Sequence, residues 1–330
     1  MSYDENFLLK SIEIAEAGIG LTAPNPIVGA VIVDKSGTVL GEGFHAGLKH
    51  AEVLAMDAAI AKGHSLQGAI LYCSLEPCNH YGKNPPCTEA IIAAGISEVY
   101  FALSDPNPVA DGGSEKLLAA GLRVEGDLLQ QEAAYSNRAW LTKIALGRPR
   151  ITVKIAQTID SKIAAADGRS KWITSDVSRQ HAKGIRDGFD AICVGTGTAV
   201  ADDPTLRGAT RNPRRFVIGQ RELPALALDE EEGYTHLRTH DLHEVVATLT
   251  GHRFNSVLIE GGPSLSSAFL REGLVDEIHL YMAPSIMGVG KSAVHIPEFT
   301  DFSQQLHYEL SALSIVSGDI FATYIKEDYA

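Results

Sequence analysis

The sequence predicts an α/β protein of two domains, and three observations support this. The chain has 330 residues, a length that favours two domains over one. Helical and strand-like hydrophobic patterns alternate along most of it, which is typical of α/β sheets. A polar segment at 147–150 contains both Gly and Pro and interrupts this alternation. We therefore predict a first domain at 1–147 and a second at 148–330.

The first half contains the elements of one α/β unit. Apolar residues at helical spacing predict a helix at 4–18, and further helices are predicted at 50–62, 88–94, 114–120 and 127–145. Apolar runs predict strands at 27–33, 38–44, 69–75 and 98–103. The first two strands flank Lys35-Ser36-Gly37 and therefore predict a hairpin. Proline-rich loops lie at 23–26 and 105–108.

After the boundary the pattern starts again. Strands are predicted at 151–156, 190–194, 214–218, 255–259, 276–282, 308–315 and 320–326. Helices are predicted at 175–187, 241–250 and 264–272. Ser317-Gly318 separates the last two strands, which indicates a closing hairpin.

Composition excludes several classes of protein. The chain is 45% hydrophobic and 21% charged, as in ordinary globular proteins. Its net charge of −13 gives no general attraction to nucleic acid or anionic membranes. It has only four cysteines, no apolar run long enough to span a bilayer and no signal peptide pattern. We expect a cytoplasmic protein that acts on a small molecule, with no nucleic-acid or membrane partner.

A set of metal-binding residue types stands in the first half. His50-Ala51-Glu52 opens a predicted helix, Pro77-Cys78 follows a predicted strand, and Cys87 follows two prolines. A His-x-Glu motif with a later Pro-Cys pair is the signature of zinc deaminases. Imidazole and thiolate are preferred zinc ligands, and three of them leave a fourth position for water. A neighbouring carboxylate such as Glu52 can then move protons as a general acid and base.

One departure keeps an alternative open. Cys78 and Cys87 are separated by eight residues, whereas the short form of the signature has two. His80 lies between them, and as a fourth ligand it would close the site and make the zinc structural. Cys73 and Cys193 lie in apolar runs, so we predict that they are core residues.

Further motifs follow in order along nearly the whole chain. Those of the first half are Pro24-Asn25-Pro26, His50-Ala51-Glu52, Leu75-Glu76-Pro77-Cys78, Pro85-Pro86-Cys87 and Asp105-Pro106-Asn107-Pro108. Those of the second half include Lys162-Ile163-Ala164, Trp172-Ile173-Thr174-Ser175, Asp202-Asp203-Pro204 and Glu260-Gly261-Gly262-Pro263. Together they resemble the family of bifunctional riboflavin biosynthesis deaminase–reductases. The deaminase motif alone would be shared with many nucleoside and base deaminases.

The resemblance implies two consecutive reactions. The first domain would remove the 2-amino group of a diaminopyrimidinone that carries a phosphoribosylamino group. The second would reduce the ribosyl group to ribityl with NADPH. The implied folds are a three-layer α/β/α domain like cytidine deaminase and an α/β domain like dihydrofolate reductase. Such enzymes usually associate, so the resemblance also implies a homo-oligomer.

The resemblance also assigns residues to sites. In the first domain it implies the zinc ligands His50, Cys78 and Cys87, the proton donor Glu52, and the pyrimidine contacts Asn25, His80 and Asn107. In the second domain it implies the NADPH contacts Ala156, Trp172, Thr198, Asp202 and Gly262. The implied substrate contacts there are Lys154, Ser170, Arg186, Leu206, Arg207 and Glu260.

Physical arguments support part of this assignment. The glycines after Glu260 lie between a predicted strand and a predicted helix, where backbone N–H groups can approach a phosphate. Gly195-Thr196-Gly197-Thr198 also follows a strand but lacks the third glycine of a Rossmann fingerprint. Arg186 and Arg207 offer planar forks for a substrate phosphate.

The chain departs from the family pattern at several positions. Ser161 stands where the pattern has Gly, and Asn84 stands where it has Thr. The loop from His45 to His50 is shorter than usual. The loop after Pro204 lacks the usual spacing, which makes Arg211 a rival of Arg207.

Two alternatives to the bifunctional enzyme remain. One is a deaminase whose second half is a degenerate scaffold. The other is a non-enzymatic module around a closed zinc site.

Overall fold

The chain consists of two compact units, Met1–Leu146 and Gly147–Ala330. The computed structural model describes residues 3–45, 47, 49–82, 84–110, 112–170, 173–229 and 233–326. Each unit has its own main sheet and its own hydrophobic core. Within the described ranges, no helix has both the length and the hydrophobicity needed to cross a bilayer.

The first unit is built on a five-stranded sheet of order β2-β1-β3-β4-β5. Its elements are α1 (Glu5–Ala15), β1 (Gly29–Val33), β2 (Val39–Phe44), α2 (Ala51–Ala61), β3 (Ile70–Cys73), α3 (Cys87–Ala93), β4 (Glu98–Phe101), α4 (Gly113–Ala119), β5 (Arg123–Glu125), α5 (Gln130–Ser136) and α6 (Arg138–Leu146). The predicted β1–β2 hairpin is antiparallel, whereas β3, β4 and β5 run parallel.

Strand β1 is buried on both faces, and its side chains alternate between two cores. Ala30 and Ile32 pack with residues of α2 and α3, while Val31 and Val33 pack with residues of α1. Both faces of a sheet must be covered for such a continuous apolar strand to be stable. The first unit therefore has the three layers, helix, sheet and helix, that the sequence predicts.

Two glycines of β2 determine how closely α2 lies on the sheet. A Cβ atom at Gly43 would lie 2.6 Å from the Ala51 carbonyl oxygen and from the Ala55 nitrogen. A Cβ atom at Gly41 would likewise collide with the Ala55 carbonyl oxygen. Only glycine permits this approach. Because α2 begins directly after His50, the two glycines also fix the position of that histidine.

The second unit is built on an eight-stranded sheet of order β10-β9-β8-β11-β6-β12-β15-β14. Its elements are β6 (Arg150–Thr158), β7 (Lys162–Ala165), α7 (Asp176–Arg186), β8 (Ala191–Gly195), α8 (Thr196–Asp202), β9 (Arg214–Ile218), β10 (Thr235–Leu237), α9 (Leu242–Gly251), β11 (Ser256–Ile259), α10 (Pro263–Arg271), β12 (Glu277–Ala283), β13 (Gly290–Ser292), β14 (Tyr308–Val316) and β15 (Asp319–Lys326). Strands β7 and β13 form a separate two-stranded sheet.

Six neighbouring strands of the large sheet, from β10 to β12, are parallel. Strands β15 and β14 close the sheet as the predicted antiparallel hairpin. The carboxyl ends of parallel strands share one edge, and ligands of open α/β sheets bind in the crevice outside that edge. The loops after β6, β8, β9 and β11 therefore bound the candidate site of this unit.

The prediction of one long helix at 127–145 is wrong, because two helices, α5 and α6, meet at Asn137. The Asn137 side chain accepts a hydrogen bond from the Ile27 N–H and donates one to the Ile27 carbonyl, each at 2.9 Å. Its backbone leaves helical geometry at φ −92° and ψ 10°. This long-range contact replaces a continuous helix with a bend.

Five short elements were not predicted: β5, β7, β10, β13 and α8. The strands have three or four residues each, too few for a periodic signal. Helix α8 contains Gly197 and two threonines, which are weak helix formers.

Candidate active sites

Three side chains of the first unit meet at one point. The Nδ1 atom of His50 lies 3.5 Å from the Cys78 sulfur and 3.3 Å from the Cys87 sulfur. One donor atom from each of the three lies within 4.8 Å of the others. His50 is the N-cap residue of α2, Cys78 lies in the loop after β3, and Cys87 is the first residue of α3. Three separate elements thus deliver one ligand each.

The electrostatics of this group suit a cation. A hydrogen bond from the Cys87 thiol, with a further contribution from His50, lowers the pKa of Cys78 to about 4. The pKa of Cys87 is raised because its thiol donates to Cys78 and because it is buried. The lowered pKa favours the thiolate form of Cys78, and two sulfurs with one imidazole are a donor set that fits zinc.

The group has three members among the described residues, so a zinc ion bound there would keep its fourth tetrahedral position for water. Within the described part of the chain, His80 does not join the three side chains. Its Nδ1 atom is buried and has no hydrogen-bond partner among the described residues. A buried imidazole nitrogen without a partner is costly, so this atom is available to a polar ligand.

Glu52 lies in the first turn of α2 and is 3% exposed. Burial is the main cause that raises the pKa of its carboxyl group, and the nearby Cys78 thiolate raises it further. The carboxyl group is in hydrogen-bond contact with the Cys87 thiol. A carboxyl group with a raised pKa beside a metal position can both take up and return a proton at neutral pH.

Asn25 reaches this region through His45, a residue that the sequence analysis did not assign to the site. The His45 Nε2 atom lies 3.4 Å from the Asn25 side-chain nitrogen, and its Nδ1 atom lies 3.0 Å from the Lys49 carbonyl. The His45 ring meets the His50 ring edge-on, with centroids 5.4 Å apart. Its position at the end of β2, five residues before His50, is the signal that could have identified it.

Asn107 is placed by a network that contains a second unassigned residue, Glu76. Asp105 accepts a hydrogen bond from the Asn107 N–H at 2.8 Å and donates its own N–H to Glu76 at 3.3 Å. Glu76 also accepts from the N–H and the hydroxyl of Ser114 at 2.8 and 2.7 Å. Burial, with a smaller effect of Glu76, raises the pKa of Asp105 to about 6. Glu76 precedes Cys78 by two residues and so ties the two loops together.

In the second unit, Glu260 joins two of the predicted substrate contacts. It directly follows β11, and its carboxylate accepts from Arg186 Nε and Nη2 at 2.6 and 2.8 Å. Lys154 Nζ, on β6, lies 3.6 Å away. Burial opposes the ionisation of Glu260, but the two cations outweigh it and lower its pKa to about 2.

The loop after α8 reaches this cluster through its backbone. The Arg207 carbonyl accepts a hydrogen bond from Arg186 Nη1 at 3.0 Å. The Leu206 side chain is 2% exposed and packs in the core, with the backbone at φ +52°. A substrate could therefore contact Leu206 only through its backbone. The rival Arg211 donates its backbone N–H to Asp187 at 3.1 Å, and its guanidinium lies 3.5 Å from the Phe189 carbonyl, just before β8.

The predicted cofactor contacts Thr198 and Gly262 meet at the ends of β8 and β11. The Gly262 N–H donates to the Thr198 hydroxyl at 2.9 Å. Gly262 is the N-cap residue of α10, whose cap has no side-chain hydrogen bond. A Cβ atom at Gly197 would meet no atom within 4 Å, whereas one at Gly261 would lie 2.8 Å from Leu265. This open, glycine-lined turn fits a phosphate group.

The remaining predicted cofactor and substrate contacts are placed as follows. Ala156 lies on β6, two residues from Lys154 and on the same face of the sheet. The Ser170 hydroxyl lies 3.5 Å from the Asp202 carboxylate. Trp172 lies outside the described residues.

Tyr281 is a further residue of this region that the sequence analysis missed. It stands opposite Ala156 in the pairing of β12 with β6, and it is 1% exposed. Its hydroxyl lies 2.7 Å from Nδ1 of His181 on α7. Burial, and then the charge of Glu260, raise the pKa of Tyr281. An isolated tyrosine in an apolar strand gave no sequence signal.

Comparison with known proteins gives matches over both units. The family model described as the RibD C-terminal domain matches residues 149–320. The model described as the cytidine and deoxycytidylate deaminase zinc-binding region matches residues 1–103. Among curated relatives, riboflavin biosynthesis protein RibD of Mycobacterium tuberculosis is 42% identical over 93% of this chain and 92% of its own length. RibD of Escherichia coli K12 is 36% identical over 86% of this chain and 89% of its own length.

Solved structures match over the same extent. A diaminohydroxyphosphoribosylaminopyrimidine deaminase/5-amino-6-(5-phosphoribosylamino)uracil reductase of Thermotoga maritima has a TM-score of 0.90 at 31% identity and covers 98% of each chain. RibD of Acinetobacter baumannii has a TM-score of 0.87 at 35% identity with the same coverage. These matches confirm the predicted fold class, a cytidine-deaminase-like domain followed by a dihydrofolate-reductase-like domain.

Proposed function

Because the chain belongs to the RibD family and is a bifunctional deaminase and reductase of riboflavin biosynthesis, we propose that its two units divide the two reactions. Residues 1–147 deaminate a phosphorylated diaminopyrimidinone, and residues 148–330 reduce the ribosyl group of the product. The description of the Thermotoga maritima enzyme supports this choice of substrates. The degenerate-scaffold alternative is not favoured, since the family match extends over the second unit.

The deaminase reaction depends on the cluster around His50. Zinc would be held by His50, Cys78 and Cys87. When bound, the ion acts as a Lewis acid and lowers the pKa of a bound water. Glu52 would take one proton from the attacking water and deliver it to the ring nitrogen. It would then take the second proton from the new hydroxyl group and deliver it to the departing amine, which leaves as ammonia. Asn25, His80 and Asn107 hold the pyrimidine.

One observation carries this proposal: a buried carboxyl group lies against a three-ligand metal group. Glu52 contacts the Cys87 thiol, and the ligand group contains His50, Cys78 and Cys87 but not His80. A closed structural zinc site would need a fourth protein ligand and would have no use for a buried acid. The arrangement therefore supports catalysis over a purely structural role.

The reductase reaction uses the crevice at the carboxyl ends of the parallel strands. NADPH would supply the hydride, and Thr198 and Gly262 would hold its phosphates, with Ala156, Trp172 and Asp202 along the cofactor. Arg186 and Arg207 would bind the substrate phosphate as charged forks. Lys154, Ser170, Leu206 and Glu260 would orient the ribosyl group.

A coupled assay tests the assignment of both reactions. Purified protein with zinc should release ammonia from the diaminopyrimidinone ribotide and then oxidise NADPH, one equivalent for each ammonia. Ammonia release without NADPH oxidation would support the scaffold alternative. Absence of both activities, with zinc bound, would contradict the proposal.

The proposal also includes the cellular location and the oligomeric state of the enzyme. We place it in the cytoplasm, as a homo-oligomer without nucleic-acid or membrane partners. All four cysteines are free and buried, which is compatible with a reducing compartment. The oligomeric state stays a prediction.

A further inference from the structure

We propose that Arg221 recognises the 2′-phosphate of NADPH and so gives the reductase unit its preference for NADPH over NADH. The inference rests on the cofactor proposed above. None of the sequence motifs assigns a residue to the 2′-phosphate of this cofactor. Arg221 lies three residues after the end of β9, on an exposed turn at the crevice edge.

The order of the strands indicates which end of the cofactor lies near β9. Reading across the sheet, β6 is followed by β11, β8 and β9, all parallel. Neighbouring strands are about 4.8 Å apart, so β6 and β9 are separated by about 14 Å. The crevice at their carboxyl ends is therefore long enough for an extended dinucleotide rather than a single nucleotide.

The direction of the cofactor follows from the groups already placed along this edge. Lys154 and Ala156 on β6 mark the substrate end, where the nicotinamide must lie. Gly262 and Thr198, after β11 and β8, mark the middle, where the pyrophosphate fits. The adenosine end must then continue in the same direction, toward the loop after β9. Arg221 stands in that loop.

Arg221 is the one arginine in the sequence between β9 and β10. Among the described residues, its guanidinium makes no hydrogen bond or ion pair. Its neighbour Glu222 is occupied by Arg238, which donates to both carboxylate oxygens at 2.5 and 3.1 Å. The net charge of the chain is −13, yet the neighbouring carboxylate of Glu222 is already neutralised by Arg238. Arg221 is therefore suited to binding an anionic ligand. A guanidinium binds a phosphate dianion through two parallel hydrogen bonds.

The turn that carries Arg221 is fixed by its neighbours. The Gly219 N–H donates to the Leu237 carbonyl at 3.0 Å, and the Gly219 carbonyl lies 2.7 Å from His236 Nε2. Gly219 has a φ of +129°, and a Cβ atom there would lie 2.8 Å from the Thr196 hydroxyl. The turn thus packs directly on the start of α8, the helix that carries Thr198. Because the backbone at Gly219 is already held, less backbone entropy is lost when a ligand binds at this turn.

Direct binding separates the contribution of Arg221 from catalysis. The probes are 2′,5′-ADP, which carries the 2′-phosphate, and 5′-ADP, which lacks it, titrated by calorimetry into the full-length zinc-loaded protein. Arg221→Ala should weaken binding of 2′,5′-ADP by about ten- to a hundredfold, the value of a charged hydrogen-bond pair. Binding of 5′-ADP should not change. In steady-state assays the KM for NADPH should rise by a similar factor, with kcat and the KM for NADH unchanged.

Arg214→Ala is the matched control. Arg214 is an exposed arginine at the opposite, amino end of the same strand, so its loss changes the net charge equally without touching the crevice. It should leave both binding constants unchanged. Arg221→Lys should restore part of the binding of 2′,5′-ADP, because the charge is kept and the planar fork is lost.

Three results would overturn the inference while the reductase assignment stands. The first is an equal loss of affinity for 2′,5′-ADP in the Arg214→Ala and Arg221→Ala variants. The second is a loss of affinity for 5′-ADP in Arg221→Ala as large as that for 2′,5′-ADP. The third is an unchanged affinity for 2′,5′-ADP in Arg221→Ala. A wild-type protein that binds neither NADPH nor 2′,5′-ADP would instead overturn the proposed cofactor together with the inference.

Discussion

Replacing Glu260 by Gln should destabilise the second unit in a manner that depends on pH. The Glu260 carboxylate is 7% exposed and lies between Arg186 and Lys154. Gln keeps the size of the side chain but leaves the two cations without a buried counter-charge. Breaking a buried ion pair by removing one partner is strongly destabilising, typically by about 3–5 kcal/mol.

The pKa of Glu260 gives a second estimate of how much its carboxylate contributes to the free energy of unfolding. It is lowered from 4.5 to about 2, and one pKa unit corresponds to about 1.4 kcal/mol, so the carboxylate contributes about 3 kcal/mol at neutral pH. Because the folded pKa is the lower one, this contribution is present above pH 4.5 and is lost as the pH falls toward 2. By pH 3, roughly 2 kcal/mol of it has disappeared.

Urea unfolding of the wild type and of Glu260→Gln between pH 7 and pH 3 measures this effect. The transition that NADPH shifts to higher urea identifies the second unit. The difference in unfolding free energy should be about 3 kcal/mol at pH 7 and about 1 kcal/mol at pH 3. NADPH oxidation should fall, while ammonia release from the first unit stays unchanged.

Glu309→Gln provides the control, since Glu309 lies on the exposed strand β14 of the same unit. Its difference from the wild type should be small and constant over the same range. A Glu260→Gln difference that stays constant from pH 7 to pH 3 would refute the ion cluster as the source of the stabilisation.

Two further substitutions test the backbone around the sites. Ser161 has a φ of +60°, a left-handed conformation that strains any residue except glycine. Ser161→Gly should therefore raise the free energy of unfolding by about 0.5–1 kcal/mol, because the relief of strain exceeds the added entropy of the unfolded chain. A lower Tm in a thermal scan would contradict this. Gly43→Ala should displace α2, lower stability by at least about 2 kcal/mol and reduce zinc retention measured by metal analysis. Its control Gly184→Ala lies in α7, where a Cβ atom meets nothing within 4 Å, and should leave zinc retention unchanged. Equal zinc retention in the two glycine variants would contradict the close packing of α2.

The candidate metal site could be predicted from the sequence because its chemistry depends on the types of residue present. Imidazole and thiolates beside strand and helix ends have few other uses, and the structure brings His50, Cys78 and Cys87 together as a group. The general outline of the fold was accessible for a similar reason. Helices such as α7 and α10 have apolar residues on one face over several turns, and this periodicity can be recognised in the sequence.

The rest depends on contacts between residues far apart in the chain. Asn137 ends α5 because it binds the backbone of Ile27, 110 residues away, and no local pattern contains that information. Tyr281 and His181 are 100 residues apart, and each alone reads as an ordinary strand or helix residue. The sequence could therefore predict proton donors and metal ligands. The contacts that hold such residues in place became visible only in the folded structure.

Glu52 provides the most direct test of the deaminase chemistry. Zinc content and ammonia release should be measured on the wild type and on Glu52→Gln, with NADPH oxidation on the deaminated substrate as an internal control for folding. We predict that the variant retains stoichiometric zinc and full reductase activity, while ammonia release falls by about 10²- to 10⁴-fold, the range for a lost general acid and base. Ammonia release at the wild-type rate, or loss of zinc together with activity, would contradict the role of Glu52 as the proton carrier beside a three-ligand metal site.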